Sequence, residues 1–130
     1  MKKRWITKQS KRELAKKYDF GKNRLELIPV YSLLELGKVY TYGAKKYGDC
    51  NYLKGMSWSR LYGAALRHLT AWASGEDVDL ESGLPHLAHA MWQMASLLEY
   101  SKRGIGVDDR MIYKGGDRIG KSIKKPGRVR

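Results

Sequence analysis

The segment 57–74 constrains the fold most strongly, because its apolar side chains recur at three- and four-residue steps. This spacing places them on one face of an amphipathic helix. The apolar positions are Trp58, Leu61, Tyr62, Ala65, Leu66, Leu69, Trp72 and Ala73. Ser57 suits the N-cap and Gly75 suits the position just after the helix. We therefore predict a helix from Ser57 to Ser74 that turns one face to a core.

Two further segments show helical periodicity. The first runs from residue 29 to 46, and Gly48 suits its end. The other runs from residue 82 to 103, with Pro85 in its first turn, where a missing N–H costs little. Strand signals are weak, so we predict an all-α domain of three main helices with a short N-terminal helix at residues 12–18. Three helices leave a thin core, which favours a homo-oligomer.

The formal net charge of +13 comes from the two ends of the chain. Residues 1–17 hold eight Lys or Arg and one acid, and residues 114–130 hold seven and one, while the segment between them is balanced. Basic arms attract nucleic acid, nucleoside triphosphates or acidic surfaces. Solvated tails that keep a protein in solution have the same composition, and no motif typical of RNA or DNA recognition accompanies them. Nucleic acid is therefore an alternative partner.

Length and composition indicate one domain with a modest core. We divide the chain into a basic arm (1–16), a helical domain (17–104) and a basic, Gly-rich tail (105–130). No apolar run approaches the roughly 18 residues that cross a bilayer, and no apolar stretch follows the charged start, so we expect no membrane association. Cys50 is the single cysteine, so an internal disulfide is excluded and a cytoplasmic location is expected.

The three histidines of the chain, His68, His86 and His89, lie in the second and third predicted helices, near the loop between them. His86 and His89 share a helix face, and an antiparallel return brings His68 close to both. Clustered imidazoles can ligate one metal or flank one phosphate. Alternatively, they are satisfied polar residues at a helix–helix edge. The same face continues with Gln93, Ser96 and Tyr100.

Carboxylates fill the loop between these two helices, at Glu76, Asp77, Asp79 and Glu81. Divalent cations such as Mg²⁺ prefer carboxylate oxygens, so Asp79 and Glu81 are candidate ligands beside the histidines. Alternatively, the acids favour the positive end of the third helix, with Asp79 or Ser82 as its N-cap. Glu35 lies inside the apolar run of the first helix. It is either an edge residue or a buried ligand that needs a cation.

Two basic groups are candidates for phosphate binding, Lys22 and Arg24 ahead of the first helix and Lys45 and Lys46 at its end. The helix dipole alone explains Lys45 and Lys46. Neither group matches the Gly-rich loop of P-loop nucleotidases. Four side chains have the chemistry to stack on a nucleobase or to form hydrogen bonds with it: Tyr47, Asn51, Tyr52 and Trp58. Core and loop packing explain these side chains equally well.

Several motifs together resemble one family. They are YDFGKNRL (18–25), LIP (27–29), GAKKYGDCNY (43–52), WSRL (58–61), RHL (67–69) with Trp72, and GEDVDLESGLPHLAHA (75–90). In this order and spacing they resemble the phage family of dATP/dGTP diphosphohydrolase N-terminal domains, over about residues 17–103. That family is grouped loosely with the all-α, MazG-type pyrophosphohydrolases. Their metal-binding ExxE…ExxD pattern is missing here, and His86-Leu87-Ala88-His89 stands where the third helix would carry ExxD.

The resemblance implies hydrolysis of a purine (deoxy)nucleoside triphosphate to a monophosphate and pyrophosphate, assisted by Mg²⁺ or Mn²⁺, in phage nucleotide metabolism. Under this hypothesis the catalytic residues are Glu35, Asp79 and Glu81. The metal ligands are His68, Asp79, Glu81, His86 and His89. Substrate contacts come from Lys22, Arg24, Lys45, Lys46, Tyr47, Asn51 and Trp58. A phage protein that binds and sequesters a nucleotide without cleaving it is the alternative.

Overall fold

The computed structural model describes residues 14–110, and all regular secondary structure in this part of the chain is helical. The three α-helices are α1 (Val30–Tyr47), α2 (Trp58–Ala73) and α3 (His86–Arg103). Short 3₁₀ helices, Leu25–Leu27 and Asn51–Lys54, precede α1 and α2. The predicted all-α class with three main helices is confirmed.

The central helix is α3, because it packs against both α1 and α2. The buried apolar side chains are Val39, Leu61, Ala65, Ala88, Ala90 and Tyr100. Half of them are alanines, which let helix backbones approach closely but bury little apolar area. One face of α3 turns a polar stripe inward, formed by His86, His89, Gln93, Ser96 and Tyr100. The interior is therefore small, and much of it is polar.

The turn between α2 and α3 delays the start of α3 to His86, although the predicted start was Ser82. An isolated antiparallel bridge joins Val78 to Pro85 and closes this turn. Within it, the Asp79 carboxylate accepts hydrogen bonds from the N–H and the hydroxyl of Ser82. Both side chains are thus used inside the turn, and the prediction that one of them caps the helix is wrong. Pro85 occupies the cap position instead.

Residues 105–110, which the sequence analysis assigned to the tail, pack against the chain just before α2. The N–H of Val107 donates to the carbonyl of Met56, and the N–H of Trp58 donates to the carbonyl of Val107. Gly106 has a φ of 76°, and a Cβ there would overlap the carbonyl oxygen of Met56. The packed part of the chain therefore continues beyond the predicted boundary at residue 104.

The same segment caps α2. Ser57 holds the N-cap position, as expected, but its side chain makes no capping hydrogen bond. The Asp109 carboxylate accepts hydrogen bonds from the N–H and the hydroxyl of Ser59 in the first turn. It thereby satisfies one of the free amides at a helix start, and its charge suits the positive end of the helix dipole.

The predicted N-terminal helix is wrong in its described part, since residues 14–18 are not helical. Residues 12 and 13 lie outside the described range, and so do most residues of the two basic arms. The predicted contact of these arms with nucleic acid therefore concerns residues that the structure does not describe. Between residues 14 and 110, no helix is long and apolar enough to cross a bilayer.

Candidate functional site

The three histidines meet where α2 ends and α3 begins, as the antiparallel arrangement predicts. The Nδ1 atoms of His68 and His86 lie 2.9 Å apart. The rings of His68 and His89 stack, with centroids 4.6 Å apart and an interplanar angle of 8°. A hydrogen bond between two Nδ1 atoms needs one donor and one acceptor, so one of the two carries no hydrogen. The lone pair of that nitrogen accepts this hydrogen bond.

Asp79 reaches the same place from the turn. Its Oδ2 accepts from the N–H and the hydroxyl of Ser82, at 2.9 and 2.8 Å. The Ser82 hydroxyl also lies 2.6 Å from Nε2 of His89. Since its single hydrogen is donated to Asp79, the hydrogen in the second contact belongs to His89. One donor atom each from His68, Asp79 and His86 lie within 4.8 Å of one another, which makes these three residues a candidate metal site.

The surroundings favour the protonation states that bind metal. Burial lowers the pKa of His68, and the imidazoles of His89 and His86 lower it further. Burial also lowers the pKa of His89, although Asp79 opposes the effect. Burial raises the pKa of Asp79, but the hydrogen bonds from Ser82 and the nearby imidazoles outweigh it, so the pKa lies below its ordinary value. At neutral pH, His68 and His89 are therefore neutral and Asp79 is charged.

His86 has one nitrogen to spare. Its Nε2 is buried and makes no hydrogen bond to any residue between 14 and 110. The Oε1 atom of Glu76 lies 3.2 Å away, but not in a direction that makes a hydrogen bond. The Glu76 side chain is half-exposed, so it is free to approach or leave the cluster.

An open cavity of about 1180 Å³ adjoins this cluster. Its wall comes from α1, α2, α3 and the 3₁₀ helix before α2, and of the cluster only His89 lines it directly. The charged lining comprises Lys54, Arg60 and Arg67 against one acid, Asp49. Within the described part of the chain, these three basic side chains form no ion pair. The excess of free positive charge favours an anionic ligand.

The family described as "dATP/dGTP diphosphohydrolase, N-terminal" matches residues 12–110. The chain belongs to this family. The matched range spans all three helices, the turn with Asp79 and the segment 105–110, and it confirms the resemblance found in the sequence.

A relative named "dATP/dGTP diphosphohydrolase", from Salmonella phage PMBT28, is 39% identical over 74 residues. The aligned part covers 57% of this chain and 25% of the relative, so the chain spans about a quarter of the relative's length. No solved structure matches the chain.

The lysines and arginine predicted to bind phosphate lie outside the cavity. Lys22 and Lys45 are exposed, and Arg24 forms an ion pair with Glu26. Lys46 forms an ion pair with Glu81, with Nζ and Oε1 2.8 Å apart. Within residues 14–110, none of these four side chains contacts the histidine cluster.

Two predicted carboxylates are engaged elsewhere. Lys46 lowers the pKa of Glu81, and the Glu81 side chain is largely exposed, so it is not part of the metal-ligand set. Glu35 forms an ion pair with Lys38 one turn along α1. It neither lines the cavity nor joins the cluster.

The predicted base-binding residues are divided between two places. Tyr47, Asn51 and Tyr52 line the cavity beside the cluster. Trp58 lies elsewhere. Its indole N–H donates to the carbonyl of Ile105, and the Arg110 guanidinium lies 5.0 Å from the centre of its ring.

Sequence analysis missed Lys54, Arg60 and Arg67, and it placed Gln93 on the histidine face of the third helix without giving it a role; all four line the cavity. A signal was present for two of them. Arg60 and Arg67 lie seven residues apart, which puts them on one face of α2, and Arg67 directly precedes His68. Lys54 carries no such signal, because only the folded chain brings the 3₁₀ helix opposite α3.

Proposed function

We propose that this domain hydrolyses a purine deoxynucleoside triphosphate between its α and β phosphates and releases pyrophosphate. One observation carries the proposal: a metal-ligand set of two imidazoles and a carboxylate adjoins a cavity whose Lys and Arg side chains form no ion pair within residues 14–110. The chain's family and the name of the Salmonella phage relative support the same reaction.

The metal would be held by His68, Asp79 and His86. Two nitrogens and one oxygen suit Mn²⁺ and other transition metals, whereas Mg²⁺ prefers oxygen ligands. We therefore favour Mn²⁺ over Mg²⁺. When bound, the metal would supply a positive charge that polarises the phosphate beside it.

The triphosphate would bind to Arg60, Arg67 and Lys54. Arginine presents paired N–H groups that match phosphate oxygens, and a lysine adds a compact positive charge. Tyr47 and Asn51 lie in the same cavity lining and would contact the base or the sugar. Glu35, Glu81, Lys22, Arg24, Lys45 and Lys46 have no part in this proposal.

His89 is the residue we assign as general base. It lines the cavity, and burial keeps its imidazole neutral at pH 7. The Nε2–H of His89 donates to the Ser82 hydroxyl, and that hydroxyl donates to the Asp79 carboxylate. Because the ring hydrogen of His89 is on Nε2, its Nδ1 keeps a lone pair. A water molecule that gives a proton to Nδ1 attacks the α-phosphorus. The bond from that phosphorus to the bridging oxygen then breaks, and pyrophosphate leaves with the oxygen.

The test is incubation of the purified protein with each deoxynucleoside triphosphate and either Mn²⁺ or Mg²⁺. We expect monophosphate and pyrophosphate in equal amounts from purine substrates, faster with Mn²⁺, and no product in EDTA. Release of inorganic phosphate instead would assign cleavage to another bond. An unchanged nucleotide that stays bound at high protein concentration would favour the sequestering alternative and reject the enzyme.

We also propose that the domain works as a homo-oligomer. α2 and α3 expose large apolar side chains at four- and seven-residue steps, which is the spacing of helices that pack in bundles. They are Tyr62 and Leu66 on α2, and Leu87, Met94 and Leu98 on α3. Tyr62, Met94 and Leu98 border one open apolar groove of about 620 Å³. A stable monomer seldom leaves so continuous a stripe in water.

Replacing both Met94 and Leu98 by lysine is expected to convert the oligomer to a monomer of 14.9 kDa. Both side chains are more than half exposed, so the fold of one subunit should survive. Light scattering after gel filtration measures the mass. Glu99→Lys, on the same helix but off the stripe, is the matched control and should keep the wild-type mass. A wild-type mass of one subunit would refute the proposal.

A further inference from the structure

We infer that Gln93 forms the floor of a base subsite and recognises the 6-amino group of an adenine-type base. The inference rests on the proposed function, because it assigns the base-binding part of the same cavity. Gln93 lies one helical turn beyond His89 on α3, and both residues line the cavity. A nucleotide with its phosphates beside the arginines and His89 would thus have its base within reach of the Gln93 amide.

Gln93 differs from its neighbours on the polar stripe in having no partner. His89 contacts Ser82, Ser96 shares a hydrogen bond with Tyr40, and the Tyr100 hydroxyl donates to the Tyr52 carbonyl. The Gln93 side chain makes no hydrogen bond within residues 14–110, although the residue is only 9% exposed. Its Oε1 atom is fully buried. Native structures seldom keep a buried amide oxygen without a donor, so the exception points to a ligand.

The surroundings suit a flat, partly apolar group. Tyr40, Tyr52 and Trp92 pack around one another, two pairs edge to face and the Tyr40–Trp92 pair tilted, with ring centroids 5.4 to 6.1 Å apart. All three rings line the cavity beside Gln93. Aromatic walls with one polar amide are typical of pockets that bind a nucleobase.

The amide selects among bases by its paired acceptor and donor. Adenine presents its 6-amino donor next to a ring-nitrogen acceptor, which a glutamine side chain matches with two hydrogen bonds. The corresponding edge of guanine, N7 and O6, presents two acceptors and is better matched by arginine. A purine without the 6-amino group leaves Oε1 without a donor.

The experiment compares binding of dAMP with binding of the monophosphate of 2′-deoxyribosylpurine, which lacks the 6-amino group. Monophosphates have no bond between α and β phosphates, so the measurement does not depend on hydrolysis. Calorimetry with Mn²⁺ present is expected to show dAMP binding about ten-fold tighter, the size of one well-placed hydrogen bond. In Gln93→Met the preference should disappear, and the amine-free ligand should bind more weakly only by the one hydrogen bond that its ring nitrogen no longer accepts. Because the amide makes no internal hydrogen bond, this variant should melt no lower than the wild type.

The outcomes separate the two proposals. An equal affinity for both ligands in the wild type, or a preference that survives in Gln93→Met, would overturn the subsite, even if triphosphates are cleaved. A preference that Gln93→Met removes would support it, even if no triphosphate is cleaved and the proposed hydrolysis fails. Tighter binding of dGMP than of dAMP, or no binding of any monophosphate, would also overturn it.

Discussion

Replacing Asp79 by asparagine is expected to lower pyrophosphate release from the preferred purine triphosphate at least about 100-fold, while the protein stays folded. The substitution removes the one negative charge in the candidate ligand set. An asparagine oxygen can still accept the hydrogen bonds from Ser82, so the turn should keep its shape. Turnover under saturating Mn²⁺ and the dissociation constant for Mn²⁺ are the two measurements, and both should worsen.

Asp77→Asn is the matched control for this variant. It removes the same charge from the same turn, but the Asp77 side chain is exposed and belongs to no ligand group. Only its backbone carbonyl is used, as acceptor from the N–H of His86. We expect near-normal turnover. If the two variants lose activity equally, the loss reflects the net charge of the turn, and Asp79 is not a ligand.

The largest effect on stability is expected from Gly106→Ala, which should lower the free energy of unfolding by about 3 kcal/mol or more. A Cβ at this position would overlap the Met56 carbonyl oxygen, and it would lie 3.3 Å from the ring of Tyr100, which is fully buried. The positive φ of 76° adds strain for any residue other than glycine. Urea denaturation followed by circular dichroism measures the change.

Gly104→Ala separates strain from overlap. Gly104 has a similar positive φ of 68°, but a Cβ there meets nothing within 4 Å. Its cost should therefore be the conformational part alone, about 1–2 kcal/mol. Equal losses in the two variants would show that residues 105–110 do not pack closely against Met56 in solution.

The helices and the meeting of the histidines were predictable because both depend on local periodicity. The repeat of apolar residues between Trp58 and Ala73 identifies α2, and α3 returns beside it after the connection 74–85. His68 and His86 then lie at the same end of the helix pair. The motifs that resemble the family also indicate three helices in this order.

The parts that sequence analysis missed depend on contacts between distant residues or on competing local ones. Asp79 and Ser82 are good capping residues, but their hydrogen bonds to each other form a turn and delay α3. Glu81 has the chemistry of a metal ligand, yet an ion pair with Lys46, far away in the chain, holds it outside the cluster. The role of Asp109 as a cap for α2 depends on a contact across fifty residues, which no periodicity indicates.

All three candidate metal donors come from one uninterrupted hairpin, between His68 and His86. α1 and the loop after it contribute cavity wall but no donor. The candidate metal site is thus encoded in one stretch of the chain, whereas the cavity beside it is shared between that stretch and a separate one. Substitutions ahead of α2 therefore change the wall of the cavity without replacing a candidate metal ligand.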